Sequence, residues 1–193
     1  YLADTYTATR SFAIRLTERI APDPTQPVIL VDYDAEAEEK IIAALLYPHL
    51  QHPLPQLRRL VATMSTEQRQ QLLDEHVQRR RHRRDKPGRA LENVYYTFDI
   101  VGNLGLYRDL HRHRLLTQER QDFTTAHGYD TPQELEAEGF KSAFDRGMEA
   151  ADRLYHRLHA DLPYEAQYVV PFAYRVRWYM KMNLREAVHV GEL

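Results

Sequence analysis

A chain of 193 residues, 43% apolar and 28% charged, is long enough to bury a sizeable core as one domain and has the make-up of an ordinary globular protein. Its formal net charge of −2 argues against a dedicated nucleic-acid binder, and no apolar run approaches the roughly 18 residues of a membrane span. With no cysteine there is no disulfide framework, zinc–thiolate site or thiol nucleophile, which fits a cytoplasmic protein with no leader pattern at its start.

In chain order, Phe12, Leu16 and Ile20 recur every four residues and predict an opening helix. Three prolines between Pro22 and Pro27 break it. Residues 1–27 therefore read as a helix and Pro-rich linker, the tail of a preceding domain. The chain starts without Met and stops at Leu193 inside an apparent helix, so it reads as a piece of something longer. Val28-Ile29-Leu30-Val31 has the apolar run of a buried strand. Asp34 is the expected N-cap of a helix to about Tyr47, before Pro48. Ser65-Thr66-Glu67-Gln68 is a capping box opening a polar helix. That helix leads into the basic run Arg79–Arg84, which ends at Pro87-Gly88.

Val94, Tyr96, Phe98 and Ile100 alternate with Tyr95, Thr97, Asp99 and Val101, a period of two that predicts a strand. Asn103 is the expected cap of a short helix through Leu110. Pro132, as first helical residue, opens another helix. Phe144, Met148, Ala151, Tyr155 and Leu158 mark one face of a longer one. Val176, Trp178, Met180 and Met182 alternate with Arg175, Arg177, Tyr179 and Lys181 as a second strand, and Asn183 caps a last helix. Interspersed helices and half-polar strands predict an α+β fold: a mainly antiparallel sheet with flanking helices.

The chemistry concentrates at His111-Arg112-His113-Arg114. If the chain is extended there, Arg112 and Arg114 point the same way and form a phosphate or pyrophosphate clamp. The plainer reading is a basic helix end that complements the helix dipole. His111 and His113 with Glu119 or His127 would be a metal site, but no third ligand is set by spacing. The run Arg79–Arg84 reads as a solvated face or an anion grip. The seven glycines are scattered and form no phosphate loop.

Taken together, these segments resemble the flavin-dependent thymidylate synthases. That family carries R-H-R-x-x-S-x-N-E-x-S-x-R-Y after a strand of E-H-x-x-F-T-F type and a short helix. Here Glu92–Phe98 is the strand, the helix starting at Asn103 follows, and Arg112-His113-Arg114 comes without a gap. Ala166–Pro171 stands where the family has A-R-x-V-L-P, and Asn183-Leu184-Arg185 where it has N-A-R. The likeness covers residues 28–193, a domain incomplete at its C-terminal end.

The resemblance implies a reaction: reductive methylation of deoxyuridylate (dUMP) to dTMP through FAD, with methylenetetrahydrofolate and NADPH. It implies that Arg112, His113, Arg114, Asn183, Arg185 and His189 hold FAD, although at His189 the family carries another polar residue. It also implies a homotetramer. The substrate half departs from the pattern. A glutamine becomes Asp109, a serine becomes Asp122, and two arginines become Thr124 and Gln167. Two cationic donors are lost and two carboxylates gained where a phosphate dianion would sit. Three readings stay open: a thymidylate synthase with a remodelled site or a flavoenzyme for another anionic substrate; a non-catalytic FAD-binding or scaffolding domain; and an anion-binding module built on the two basic runs.

Overall fold

The computed structural model describes residues 1–24 and 26–192. Thr25 in the linker, and Leu193, where the sequence reading stops the chain inside a helix, lie outside the described residues. The elements run α1 (Leu2–Thr17), β1 (Val28–Tyr33), α2 (Ala37–Leu46), α3 (Leu54–Ala62), α4 (Thr66–Val77), β2 (Tyr95–Asn103), α5 (Leu104–Leu110), β3 (Thr117–Arg120), α6 (Gln133–Ala137), α7 (Lys141–Asp161), β4 (Arg175–Asn183) and α8 (Leu184–Gly191). Short 3₁₀ turns cover Tyr47–His49, Arg89–Asn93 and Glu165–Val169. The four strands form one sheet in the order β1-β2-β4-β3, with every neighbouring pair antiparallel. The fold is α+β, as the pattern predicts.

The two alternating strands lie side by side at the centre. On one face Val176, Trp178, Met180 and Met182 of β4 sit opposite Gly102, Ile100, Phe98 and Tyr96 of β2. Leu104 and Tyr107 of α5 cover that row, with Ala187 of α8 packed against it. Gly102 is there for space: a Cβ would lie 3.2 Å from the Trp178 ring. A second cluster forms where α2 meets α3, from Ile42, Ala43, Leu57 and Val61. A third joins α7 to the segment before β4 through Tyr155, Ala166, Val170 and Tyr174, and the Tyr174 hydroxyl donates to the Met148 carbonyl at 2.8 Å.

Several expectations need correction. β1 is not a buried strand. It is an edge strand with Val28, Leu30, Val31 and Tyr33 all exposed, because the helix that follows packs on α3 and on the Arg89–Asn93 turn instead of on β1. The N-cap of α2 is Glu36, not Asp34. The Asp34 carboxylate instead accepts from the Glu36 amide at 3.1 Å and pairs with Lys40 at 2.6 Å. Pro132 is the N-cap of α6 and not its first helical residue. α3 has no counterpart in the sequence reading: Pro53 is its N-cap and Pro55 lies in its first turn, positions that tolerate proline. β3 is polar throughout and carries no alternation that predicts a strand. The Ser65–Gln68 capping box and the Asn103 and Asn183 caps form as expected.

The 3₁₀ turn Arg89–Asn93 is fastened to α8 by one carboxylate. Glu92 accepts from Arg89 at 3.0 Å and from Nη1 of Arg185 at 2.7 Å, while Nε of Arg185 donates to the Pro87 carbonyl at 2.9 Å. The Arg89 guanidinium first, and then that of Arg185, hold the Glu92 carboxyl below its ordinary range.

Trp178→Ala should cost about 3–5 kcal/mol in urea unfolding, whereas Val31→Thr on exposed β1 should change stability by less than about 0.5 kcal/mol. Comparable losses from the two would contradict this layout. Because the Glu92 carboxyl is depressed in the fold, its contribution is present above the ordinary glutamate pKa of about 4.3 and is lost as pH falls. The stability gap between wild type and Glu92→Gln should therefore shrink on acidification below about pH 4.3, and a pH-independent gap would count against the bridge.

Candidate functional site

α5 delivers the Arg112-His113-Arg114 motif. The Asn103 side chain accepts from the Leu106 amide at 2.8 Å and starts the helix. At the other end the His111 and His113 amides donate to the Tyr107 and Leu110 carbonyls at 2.8 and 3.1 Å, which closes a turn. The motif is thus turned and not extended. Its side chains divide. Arg112 and Arg114 are exposed, with Nη2 of Arg112 at 3.3 Å from the Asp109 carboxylate. The His113 side chain is only 14% exposed, and its Nδ1 lies 3.0 Å from Oε1 of Glu186.

Glu186 belongs to α8, which carries the second group of expected residues. The Asn183 side chain accepts from the Glu186 amide at 2.9 Å and caps the helix. His189, one turn on, sets its ring 5.7 Å from that of His113 at 61°. Asn183, Arg185, Glu186 and His189 line one cavity of about 670 Å³, with Lys86, Glu92 and Glu192 among the other walls. A cleft of about 880 Å³, running toward α2 and α4, shares Arg89, Glu92, Tyr95 and Asn183 with it. The two volumes are of the size that takes a cofactor. The basic run stands at the rim: Arg80 pairs with the Glu192 carboxylate, Arg83 donates to the Glu192 carbonyl at 3.4 Å, and Arg79 pairs with Glu75 at 2.8 Å. The Arg80 guanidinium holds the Glu192 carboxyl below its usual range.

Of the six residues assigned to FAD by resemblance, the fold gathers His113, Asn183, Arg185 and His189, and leaves Arg112 and Arg114 facing outward beside them. These donors suit the group. Asn183 and Arg185 stand at a helix N-terminus, whose dipole favours anions, with the Leu184 and Glu186 amides there taken by the Val94 carbonyl and the Asn183 side chain. The cleft on the other side of Glu92 is walled by Leu46, Tyr47, Leu54 and Tyr95, which suits an aromatic ring. Glu186 was not foreseen. Its only local signal is its place in the first turn of α8, and His113 is 73 residues away.

The positions assigned to the substrate are divided as well. Asp109 lies on α5 against Arg112 and Arg108, at 3.3 and 3.8 Å. Asp122, Thr124 and Gln167 lie past the other end of β3. Asp122 pairs with Arg10 of α1, whose guanidinium lies 4.9 Å from the centre of the Tyr164 ring. The Gln167 side-chain Oε1 accepts from the Phe123 amide at 3.0 Å and from Arg120 at 3.4 Å. The Thr124 hydroxyl accepts from the Ala126 amide at 3.3 Å. Both aspartates therefore have guanidinium partners in the chain. Among the described residues, no three His, Asp or Glu side chains are gathered as metal ligands.

Comparison with known proteins bears on this arrangement. The family model described as thymidylate synthase complementing protein matches residues 29–193. A UPF0159 protein of Chlamydia muridarum is 40% identical over 184 residues, 95% of this chain and 35% of that protein. One from Chlamydia pneumoniae is 38% identical over 177 residues, 92% of this chain and 33% of its own length. One from Thermoplasma acidophilum is 34% identical over 172 residues, 87% of this chain and 34% of its own. The chain thus spans about a third of the length of these relatives. With its sheet, its motif turn and its capped last helix inside the matched span, the chain belongs to the thymidylate synthase complementing protein family, the flavin-dependent thymidylate synthases.

Proposed function

We propose that the chain binds FAD in the cavity beside α8 and serves the family reaction, the reductive methylation of dUMP with methylenetetrahydrofolate and NADPH. The observation that carries this reading is that Asn183, Arg185 and His189 line one cavity against which the His113 ring is packed. Bound there, FAD would supply the reducing equivalents that turn a transferred methylene into a methyl group. The protein's own part is to bind and orient. Arg185 and the α8 N-terminus favour the phosphates, while exposed Arg114, and Arg112 on exchange of its Asp109 partner, reach anionic groups at the protein surface.

A specific observation favours a second reading, a flavin-binding domain that is non-catalytic or takes a different anionic substrate. Asp122 and Gln167 are already engaged by Arg10, Arg120 and the Phe123 amide. Exposed Val28, Leu30, Val31 and Tyr33 on the edge strand support assembly into a homo-oligomer. No helix among the described residues is long and apolar enough to cross a membrane, and we place the protein in the cytoplasm. We read residues 1–27 as a helix and linker that precede the family domain: α1 buries none of its residues and meets the domain through Arg10, at Asp122 and Tyr164.

The test is the visible absorption spectrum of purified protein after FAD is added and free flavin is removed by gel filtration. Flavin bands should travel with the protein, and Arg185→Ala should weaken retention about ten- to a hundredfold. No flavin on folded wild-type protein would overturn the assignment. A change in the flavin spectrum on adding dUMP separates the first reading from the second, which expects none.

A further inference from the structure

The motif histidine and the motif arginines have different surroundings, and the difference comes from a residue outside the motif. The Glu186 residue is 5% exposed, and its carboxylate meets Nδ1 of His113 at 3.0 Å. Its own position is fixed, because its amide donates to the Asn183 cap at 2.9 Å. The neighbouring guanidinium of Arg185 is turned to Glu92 and Pro87. The His113 ring also makes a T-shaped contact with the His189 ring. Glu186 and His189 both line the cavity, and His113 is packed against both of them, directly beside its wall.

We infer that Glu186 is a positioning residue, which holds His113 as the tautomer protonated on Nδ1 and so keeps Nε2 as a hydrogen-bond acceptor at the edge of the cavity. An ionised carboxylate only accepts hydrogen bonds, so the nitrogen facing it carries the proton. In the neutral ring the lone pair is then on the other nitrogen. The titratable and charged groups around the same cavity are His189, Arg185, Lys86, Arg89, Glu92 and Glu192. The motif is thereby split: Arg112 and Arg114 bring charge on the outside, and His113 brings an acceptor on the inside. An acceptor in this place selects a ligand that offers an N–H, as the imide of a flavin ring does. That last step rests on the flavin reading, whereas the tautomer does not.

The experiment is long-range ¹H–¹⁵N correlation NMR at about pH 8, above the ordinary range of histidine, on full-chain protein with no ligand. The His113 signals are assigned by their loss in His113→Gln. We expect a protonated Nδ1 and an unprotonated Nε2 in wild type. The same pattern is expected in Glu186→Gln, whose amide oxygen still accepts, and a mixed or reversed pattern in Glu186→Ala. FAD retention should fall about tenfold in Glu186→Ala and recover in Glu186→Gln. A wild-type ring protonated on Nε2, or on both nitrogens, overturns the inference. So does a Glu186→Ala spectrum, or a Glu186→Ala flavin affinity, that matches wild type. If Glu186→Ala does not fold, the wild-type and Glu186→Gln spectra still decide the tautomer. If wild type retains no FAD, the flavin reading fails, while the spectra decide this one.

Discussion

The antiparallel pairing of β2 with β4 is the constraint from which the site follows. It runs in register from Tyr95 opposite Asn183 to Asn103 opposite Arg175. Each of the two strands ends in an asparagine that caps a short helix. Because the strands are antiparallel, the two helices start at opposite ends of the pair. α5 begins beside the start of β4 and runs back over the shared apolar row. Seven residues of helix advance roughly 10 Å along a pairing about 27 Å long, and the turn after α5 and the first turn of α8 close the rest, where His113 meets Glu186. Contact between His113 and Glu186 is therefore set by strand register and helix length. A one-residue slip between β2 and β4 would move Trp178 and its row to the other face and part the two helices.

Charge around the cavity is arranged in pairs and not as a single positive field. Glu92 takes Arg89 and Arg185, Glu192 takes Arg80, and Glu186 takes His113. Each carboxylate fixes a cationic or protonatable side chain where its partner needs it. The exposed pairs contribute little stability in water. Their effect is on geometry: Arg185, freed from Glu92, would have a long flexible side chain to order on each binding event. The cationic run, which looks from its composition like an anion grip, is in part consumed in closing the loop onto the end of α8.

Much of this was legible in the sequence because it is local. Alternation over β2 and β4, the capping box at Ser65 and the two asparagine caps each act within a few residues. The family motif adds the position of the turn. What could not be read is what depends on partners far along the chain. An apolar run such as Val28–Val31 has the same composition whether a helix covers it or, as here, none does. β3 is polar and owes its strand form to pairing with β4. Glu186 looks like an ordinary acidic residue of a first turn until the fold brings His113 to it. The extended geometry expected at Arg112–Arg114 fails for a related reason. Two backbone hydrogen bonds back to α5 continue the helical winding, and they turn the histidine inward between two outward arginines.

The same distinction between sequence and space governs the altered half of the motif. The resemblance sets two arginines where Thr124 and Gln167 stand in this sequence, and Asp122 adds a negative charge. In space, Arg10 comes to Asp122 from a helix that precedes the family span, and Arg120 comes to Gln167 from β3. Two guanidinium groups are thus present near these positions, one of them neutralised by Asp122. They are bound to the chain's own carboxylate and amide, so any anion arriving there has to compete with a partner that has no translational entropy left to lose. The cations at the α8 cavity are paired too, Arg89 and Arg185 with Glu92 and Arg80 with Glu192, but those pairs share no residue with Asp122 and Gln167, which lie past the far end of β3. The two halves of the motif can therefore change independently. A family member can keep the cavity at α8 while it rewires or gives up the other end of the strand, and the conflict in this sequence between an intact first half and an altered second half needs no defect in the fold to explain it.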